Sequence, residues 1–395
     1  MTRTVPSPVD VTGPRPAHAP ASPDRRLRYG LFLQSSHPPE RALGDAIDRV
    51  LAQIRWADEL GFSEAWLGEH LTAVWEPIPA QDLVIAQALA CTRQITLCAG
   101  AYVLPFYHPA ALAMRISQLD HMARGRFICG IAAGSIPTDL SMLGIDAAAG
   151  EHRDRMQESL EIMLRIWTDP TGSWVYEGKF WTVRNPDPVL SYGPHLRPYQ
   201  LPHPPIALAG LSPNSPTLEA AGAHGFIPLS LTFNTPYLHG HWTAVERGAA
   251  KTGRSCDRRH WRVVRDVFVA ESDEAARKWV REGNMARAWR EANFPTLDLF
   301  GWRGFLKHDE KVPDAAVDVD YLIEHLFLVG SPDTVARRLL EVDAALGGFG
   351  TVVLNAYDWA DDSGPYRRSM ELFAREVIPR FEAARIRSSH PGAHA

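Results

Sequence analysis

Between Trp66 and Gly144 three apolar runs, each the length of a buried strand, alternate with segments of helical period. The first closes on WLGEH (Trp66 to His70), the second on CAGAYVLPFYHP (Cys98 to Pro109), and the third on FICGIAAGS (Phe127 to Ser135). Continuous apolar runs suit strands buried on both faces, the condition of a parallel sheet. The first stops at a polar pair and the other two at His- and Gly-marked turns. A parallel barrel places its chemistry at such strand ends.

The alternation extends along the chain. Strands are predicted over Arg28 to Leu33, Ser63 to Gly68, Ile95 to Leu104, Arg126 to Ala132, Ile206 to Gly210, Gly225 to Leu231, Trp261 to Ala270 and Thr351 to Asn355. Helices are predicted over Asp45 to Leu60, with Gly61 ending it, and over Asp82 to Cys91, with Asp82 as cap. Others cover Ala110 to Met122, Glu151 to Trp167 and Tyr366 to Ala384. Eight strands with intervening helices give an α/β fold, a (β/α)8 TIM barrel with right-handed crossovers and insertions at its C-terminal face. Residues 26–385 form this one domain; residues 1–25 and 386–395, without hydrophobic period, read as disordered tails.

The insertions are Asp169 to Pro204, rich in Pro and aromatics, and Arg281 to Tyr321. Long connections of this kind are commonly lids. In the second, Trp289, Phe294, Trp302 and Phe305 are candidates to cover an apolar substrate, with packing onto the barrel as the plain alternative.

Composition excludes several classes. The chain has 395 residues, 45% of them hydrophobic, and a net charge of -5 with both signs mixed. Nothing resembles a nucleic-acid-binding stripe, a membrane span or a secretory signal. The four cysteines (Cys91, Cys98, Cys129, Cys256) lack CxxC spacing, which fits a reduced, cytoplasmic protein. Sixteen histidines raise the question of a metal, but there is no HExxH and no convergent triad, so none is expected.

Glu69 and His70 follow the second strand directly. Neighbours on a strand face opposite ways, so one of them points inward, and His70 is the better acid, base or donor. After the fifth strand, GLSPNSPT (Gly210 to Thr217) opens a helix whose N-terminus suits a phosphate; Leu211, Ser212 and Ser215 are the candidates, with ordinary capping as the alternative.

These motifs, in this order, resemble the bacterial luciferase-like family of flavin-dependent monooxygenases. WLGEH is similar to that family's histidine-pair motif, where the first histidine is catalytic near the flavin; His70 matches it, and the second position is Leu71. WEPI (Trp75 to Ile78), LDH (Leu119 to His121), GSIPTDLSMLGID (Gly134 to Asp146) and LRPYQLPHPPIALAG (Leu196 to Gly210) resemble the limonene monooxygenase-type members. The resemblance spans residues 28–232. It implies a non-proline cis peptide between Gly100 and Ala101 backing the flavin, with Ala99, Gly100, Ala101, Gly134 and Ser135 beside it. Bacterial luciferase carries a cysteine and an arginine where this chain has Ala132 and Ala133, which removes thiol chemistry and one phosphate cation.

The resemblance further implies reduced FMN as a diffusible cosubstrate, delivered by a separate NAD(P)H-dependent flavin reductase. Dioxygen would form a C4a-peroxyflavin that oxygenates an apolar small molecule, terpene-like or natural-product in kind. A homodimer is also implied. Two other readings share the fold: a deazaflavin-dependent dehydrogenase or reductase, and a non-catalytic flavin-binding barrel.

Overall fold

The computed structural model describes residues 26–169, 172–359 and 362–389. Its strands, in chain order, are β1 (Arg28–Ser36), β2 (Glu64–Leu67), β3 (Thr96–Val103), β4 (Phe127–Ala132), β5 (Trp174–Glu177), β6 (Thr182–Asn185), β7 (Ile206–Gly210), β8 (Ile227–Ser230), β9 (Arg262–Arg265), β10 (Val267–Val269), β11 (Leu328–Gly330) and β12 (Thr351–Tyr357). Eight of them close a barrel in the order β1-β12-β9-β8-β7-β4-β3-β2. Every pairing around it is parallel. The expected TIM barrel is therefore present.

Strand periodicity explains how it is filled. One cluster holds a single residue from each barrel strand: Phe32, Trp66, Cys98, Ile128, Ala207, Leu229, Val264 and Val353. Their neighbours in sequence, such as Leu31, Leu33, Leu97 and Val352, belong to the larger core between barrel and helices. Alternation thus makes both strand faces apolar, as the continuous runs require.

Below this cluster, at the N-terminal end of the barrel, Arg262 grips Glu64 through two hydrogen bonds of 2.6 and 3.2 Å. Trp66 adds an indole N–H to the same carboxylate at 3.1 Å. Burial works against the Glu64 charge, and Arg262 outweighs it, so the carboxyl lies below its ordinary range.

Several expectations are corrected. The seventh strand, predicted from Trp261 to Ala270, breaks at Asp266. Arg262–Arg265 stays in the barrel, while β10 leaves it to pair with β11, a strand the periodicity did not reveal. The first insertion carries the antiparallel β5–β6 hairpin. The second is largely short helical turns between Asn284 and Ala316. Asp82 lies inside its helix and pairs with Arg115 instead of capping. The closing helix Ile378–Ser389 runs past Ile386, because the Ala- and Arg-rich segment before it is a good helix former. Residues 1–25 and 390–395 of the expected tails lie outside the described residues.

Replacing Arg262 with Met alone should strand the Glu64 charge and cost about 3–5 kcal/mol in chemical denaturation. Pairing it with Glu64→Gln should recover most of that loss. Equal destabilisation by the single and double variants would show that the ion pair is not what closes this end.

Candidate functional site

Two residues beyond the filled interior, each strand reaches the mouth of the barrel. The inward positions there are Gly68, Gly100, Gly130 and Ala209 on one side, and Gln34, Asn355, Asp266 and Leu231 on the other. The first four lie in or just past the C-terminal halves of the neighbouring strands β2, β3, β4 and β7 and carry at most a methyl group. A Cβ on Gly100 would lie 3.2 Å from Trp66 and 3.3 Å from Phe32, and one on Gly130 would lie 2.1 Å from the Ala99 carbonyl. The barrel's own packing therefore demands these glycines. The result is a bare arc of backbone, the surface a flat ring requires for close approach. The Gly100–Ala101 peptide is cis.

Of the residues predicted around this arc, Gly100, Ala101 and Gly134 are half-buried and Ser135 is exposed. Gly134 adopts φ +86°, and a Cβ there would press within 2.9 Å of Val103. Ala99 is corrected: it is wholly buried in the core behind β3, so its side chain faces away from the mouth. Cys98 lies inside the barrel and Cys129 behind it; burial pushes both thiols up, which rules out thiolate chemistry at these positions.

β2 ends at Leu67, so strand alternation no longer governs Glu69 and His70. Glu69 turns inward as a brace for β3. Its carboxyl accepts from the Val103 amide at 2.8 Å and the Tyr107 hydroxyl at 2.6 Å, and burial pushes it up to about 7. His70 stands between two carboxylates. Its Nδ1 lies 2.9 Å from Asp139 Oδ2 and its Nε2 lies 3.2 Å from Glu76 Oε2. The other Asp139 oxygen accepts from the Leu71 and Thr72 amides and the Thr72 hydroxyl. Burial opposes a charge on His70, but Glu76 and Asp139 overcome it and hold the imidazole up to about 10.

The loop Leu211 to Ser215 is fastened from outside. The Leu211 carbonyl accepts from the Tyr237 hydroxyl at 2.9 Å, and the Ser212 carbonyl accepts from His241 Nε2 at 3.1 Å. With Nε2 donating, His241 Nδ1 accepts from the Ser230 hydroxyl at 2.9 Å, and Ser230 accepts from the Trp261 indole at 2.8 Å. Burial pushes His241 down to about 4, so it is a neutral fastener. Ser215 is corrected: buried, it caps the helix Pro216–His224 through the Leu218 amide and bonds the Thr217 hydroxyl at 2.7 Å. Leu211 and Ser212 remain half-buried at the mouth side of that helix.

The aromatic candidates divide. Trp289 is buried and donates to the Tyr357 hydroxyl at 2.9 Å, with the Phe294 ring at 5.3 Å. Phe294 is itself buried beneath Arg303. Both pack onto the body of the protein, as the plain alternative had it. Trp302 and Phe305 are half-buried and lie along one ridge: Phe305 sits 4.6 Å from Tyr237, and Trp302 stacks on Phe300 at 4.7 Å.

Sequence reasoning missed Asp139 and Glu76, although both lie within quoted motifs, because only folding brings them to His70. It also missed the buried pair His37–Asp358, joined at 2.7 Å across 321 positions. Among the described residues no His, Cys, Asp or Glu group is arranged to hold a metal ion.

Known proteins are similar to this chain in sequence and fold. A family model described as luciferase-like monooxygenase matches residues 27–348. The chain is 32% identical to 3,6-diketocamphane 1,6-monooxygenase of Pseudomonas putida, over 90% of this chain and 98% of that protein. It is 32% identical to limonene 1,2-monooxygenase of Rhodococcus erythropolis, over 90% and 87%. A solved structure of the oxygenating constituent of 3,6-diketocamphane monooxygenase, a type II Baeyer–Villiger enzyme in complex with FMN, superposes with a TM-score of 0.84 at 32% identity. That match covers 90% of this chain and 98% of the other.

Ser215→Ala should lower stability by about 1 kcal/mol through the lost cap while leaving FMN affinity within about twofold. A loss of FMN affinity without a loss of stability would return Ser215 to the phosphate ligands.

Proposed function

The chain belongs to the luciferase-like monooxygenase family, and we propose that it is the oxygenating component of a two-component system. It uses reduced FMN and dioxygen to oxygenate an apolar small molecule of the terpene or natural-product kind. The observation that carries this reading is the bare arc of Gly68, Gly100, Gly130 and Ala209 at the mouth, whose glycines a Cβ would block. An isoalloxazine ring fits such a surface, and the loop at Leu211 and Ser212 is the candidate for its phosphate.

Reduced flavin, when bound, supplies the electrons that activate dioxygen; the protein's part is placement, proton supply and exclusion of water. His70, charged between its carboxylates, holds a proton at Nε2 for the oxygen species. Trp302 and Phe305 give the mouth an apolar ridge against which an apolar substrate loses its water. We assign delivery of reduced FMN to a separate reductase; that the Pseudomonas putida relative is itself the oxygenating constituent of its monooxygenase supports this division.

Anaerobic titration with reduced FMN, followed by rapid mixing with oxygenated buffer, tests the reading. A near-ultraviolet C4a-peroxyflavin band that outlives the one formed in free flavin is expected. Tight binding without that band, or no binding, would overturn the monooxygenase assignment. His70→Ala should keep FMN affinity within a few-fold and reduce substrate oxygenation by about 10²–10⁴-fold; unchanged oxygenation would remove His70 from the chemistry.

A further inference from the structure

Two histidine–aspartate pairs approach each other at Glu76. On one side is His70 with Asp139. On the other is His37, buried, whose Nδ1 is fixed by Asp358 at 2.7 Å, with the Arg41 guanidinium on the same carboxylate at 3.2 Å. His37 Nε2 and Glu76 Oε2 are both buried without a hydrogen-bond partner. They line the same cavity of about 10 Å3, together with Gln34, Gly68 and Ile78. That is room for one water with several polar neighbours. Gln34 and Gly68 are also mouth residues, so this cavity adjoins the proposed flavin site.

We propose that Glu76 is a positioning residue that keeps His70 a standing imidazolium, and that His37 steadies Glu76 across the shared cavity. Glu76 Oε2 lies 3.2 Å from His70 Nε2, close enough to favour the charge, yet it is not aligned as a hydrogen bond. Nε2 therefore faces Glu76 while Nδ1 faces Asp139, so both ring nitrogens meet a carboxylate. Asp139 cannot play this part alone. It holds Nδ1, the far side of the ring, and its second oxygen is committed to Leu71 and Thr72.

The direction of the His70 shift agrees, with Glu76 the largest of the influences that raise it. The other charged groups facing this cluster are Glu69, which acts on His70 through space, and Asp358 and Arg41 behind His37. Arg287 lies over the Trp75 ring beside Glu76 at 5.4 Å. A histidine so held acts as a proton donor across the neutral range and does not serve as a base while Glu76 is charged.

The role in oxygenation rests on the proposed function, but the test does not. In the flavin-free full chain, imidazole nitrogen NMR should show His70 doubly protonated to about pH 9. Glu76→Gln, nearly isosteric at a side chain 28% exposed, should lower the His70 midpoint by about one pH unit or more. Glu76→Ala should do the same, and His37→Asn should lower it by less. A wild-type midpoint near the ordinary histidine value, or one unmoved in both Glu76 variants, overturns the inference. Failure of the flavin reading would appear separately, in the reduced-FMN titration.

Discussion

Everything at the mouth depends on the barrel being full. Phe32, Trp66, Cys98, Ile128, Ala207, Leu229, Val264 and Val353 occupy the interior, one from each strand, and Glu64 with Arg262 closes the end beneath them. A solid interior leaves no room for a ligand between the strands, so binding is displaced to their C-terminal ends. It also sets what can stand there. Trp66 is the bulkiest member of the layer, and its ring and Cβ lie under Gly130 and Gly100. A large residue in one layer requires none in the next, and the open arc at the mouth is the upper surface of that arrangement.

Around this rigid centre, histidines of one chemistry take different states from their surroundings. His241, between a hydroxyl and a carbonyl and away from any carboxylate partner, is pushed down by burial and serves as a neutral fastener. His70 is buried nearly as deeply, yet two carboxylates reverse the outcome. Desolvation alone would have made the two rings alike; the acidic partners decide between them.

The barrel strands and the position of His70 were legible in the sequence because they rest on local signals: period, run length and the polar stop after Leu67. Seven of the eight expected barrel strands match in place. The seventh ends early: Trp261 to Ala270 reads as one strand, but Asp266 joins a buried polar cluster with Asn355, Tyr357 and Trp289, and the barrel ladder stops at Arg265. No window of sequence contains that cluster. The same holds for Asp139 and Glu76, whose importance lies in distance to His70, and for His37 with Asp358. Ser215 shows the converse: its position in GLSPNSPT was read correctly, but its hydroxyl is committed to the helix it begins.

The fastening of the Leu211–Ser215 loop reaches further than the loop. Tyr237 bonds the Leu211 carbonyl with its hydroxyl and packs its ring against Phe305. Asn234, which caps the same helix Thr235–Lys251, has its amide nitrogens on the carbonyls of Phe305 and Lys307. One helix end thus grips the candidate phosphate loop with one hand and the aromatic ridge with the other. Binding at either place that favours the gripped arrangement must, by reciprocity, favour it at the other. A substitution that freed Tyr237 or Asn234 would loosen the loop and the ridge together.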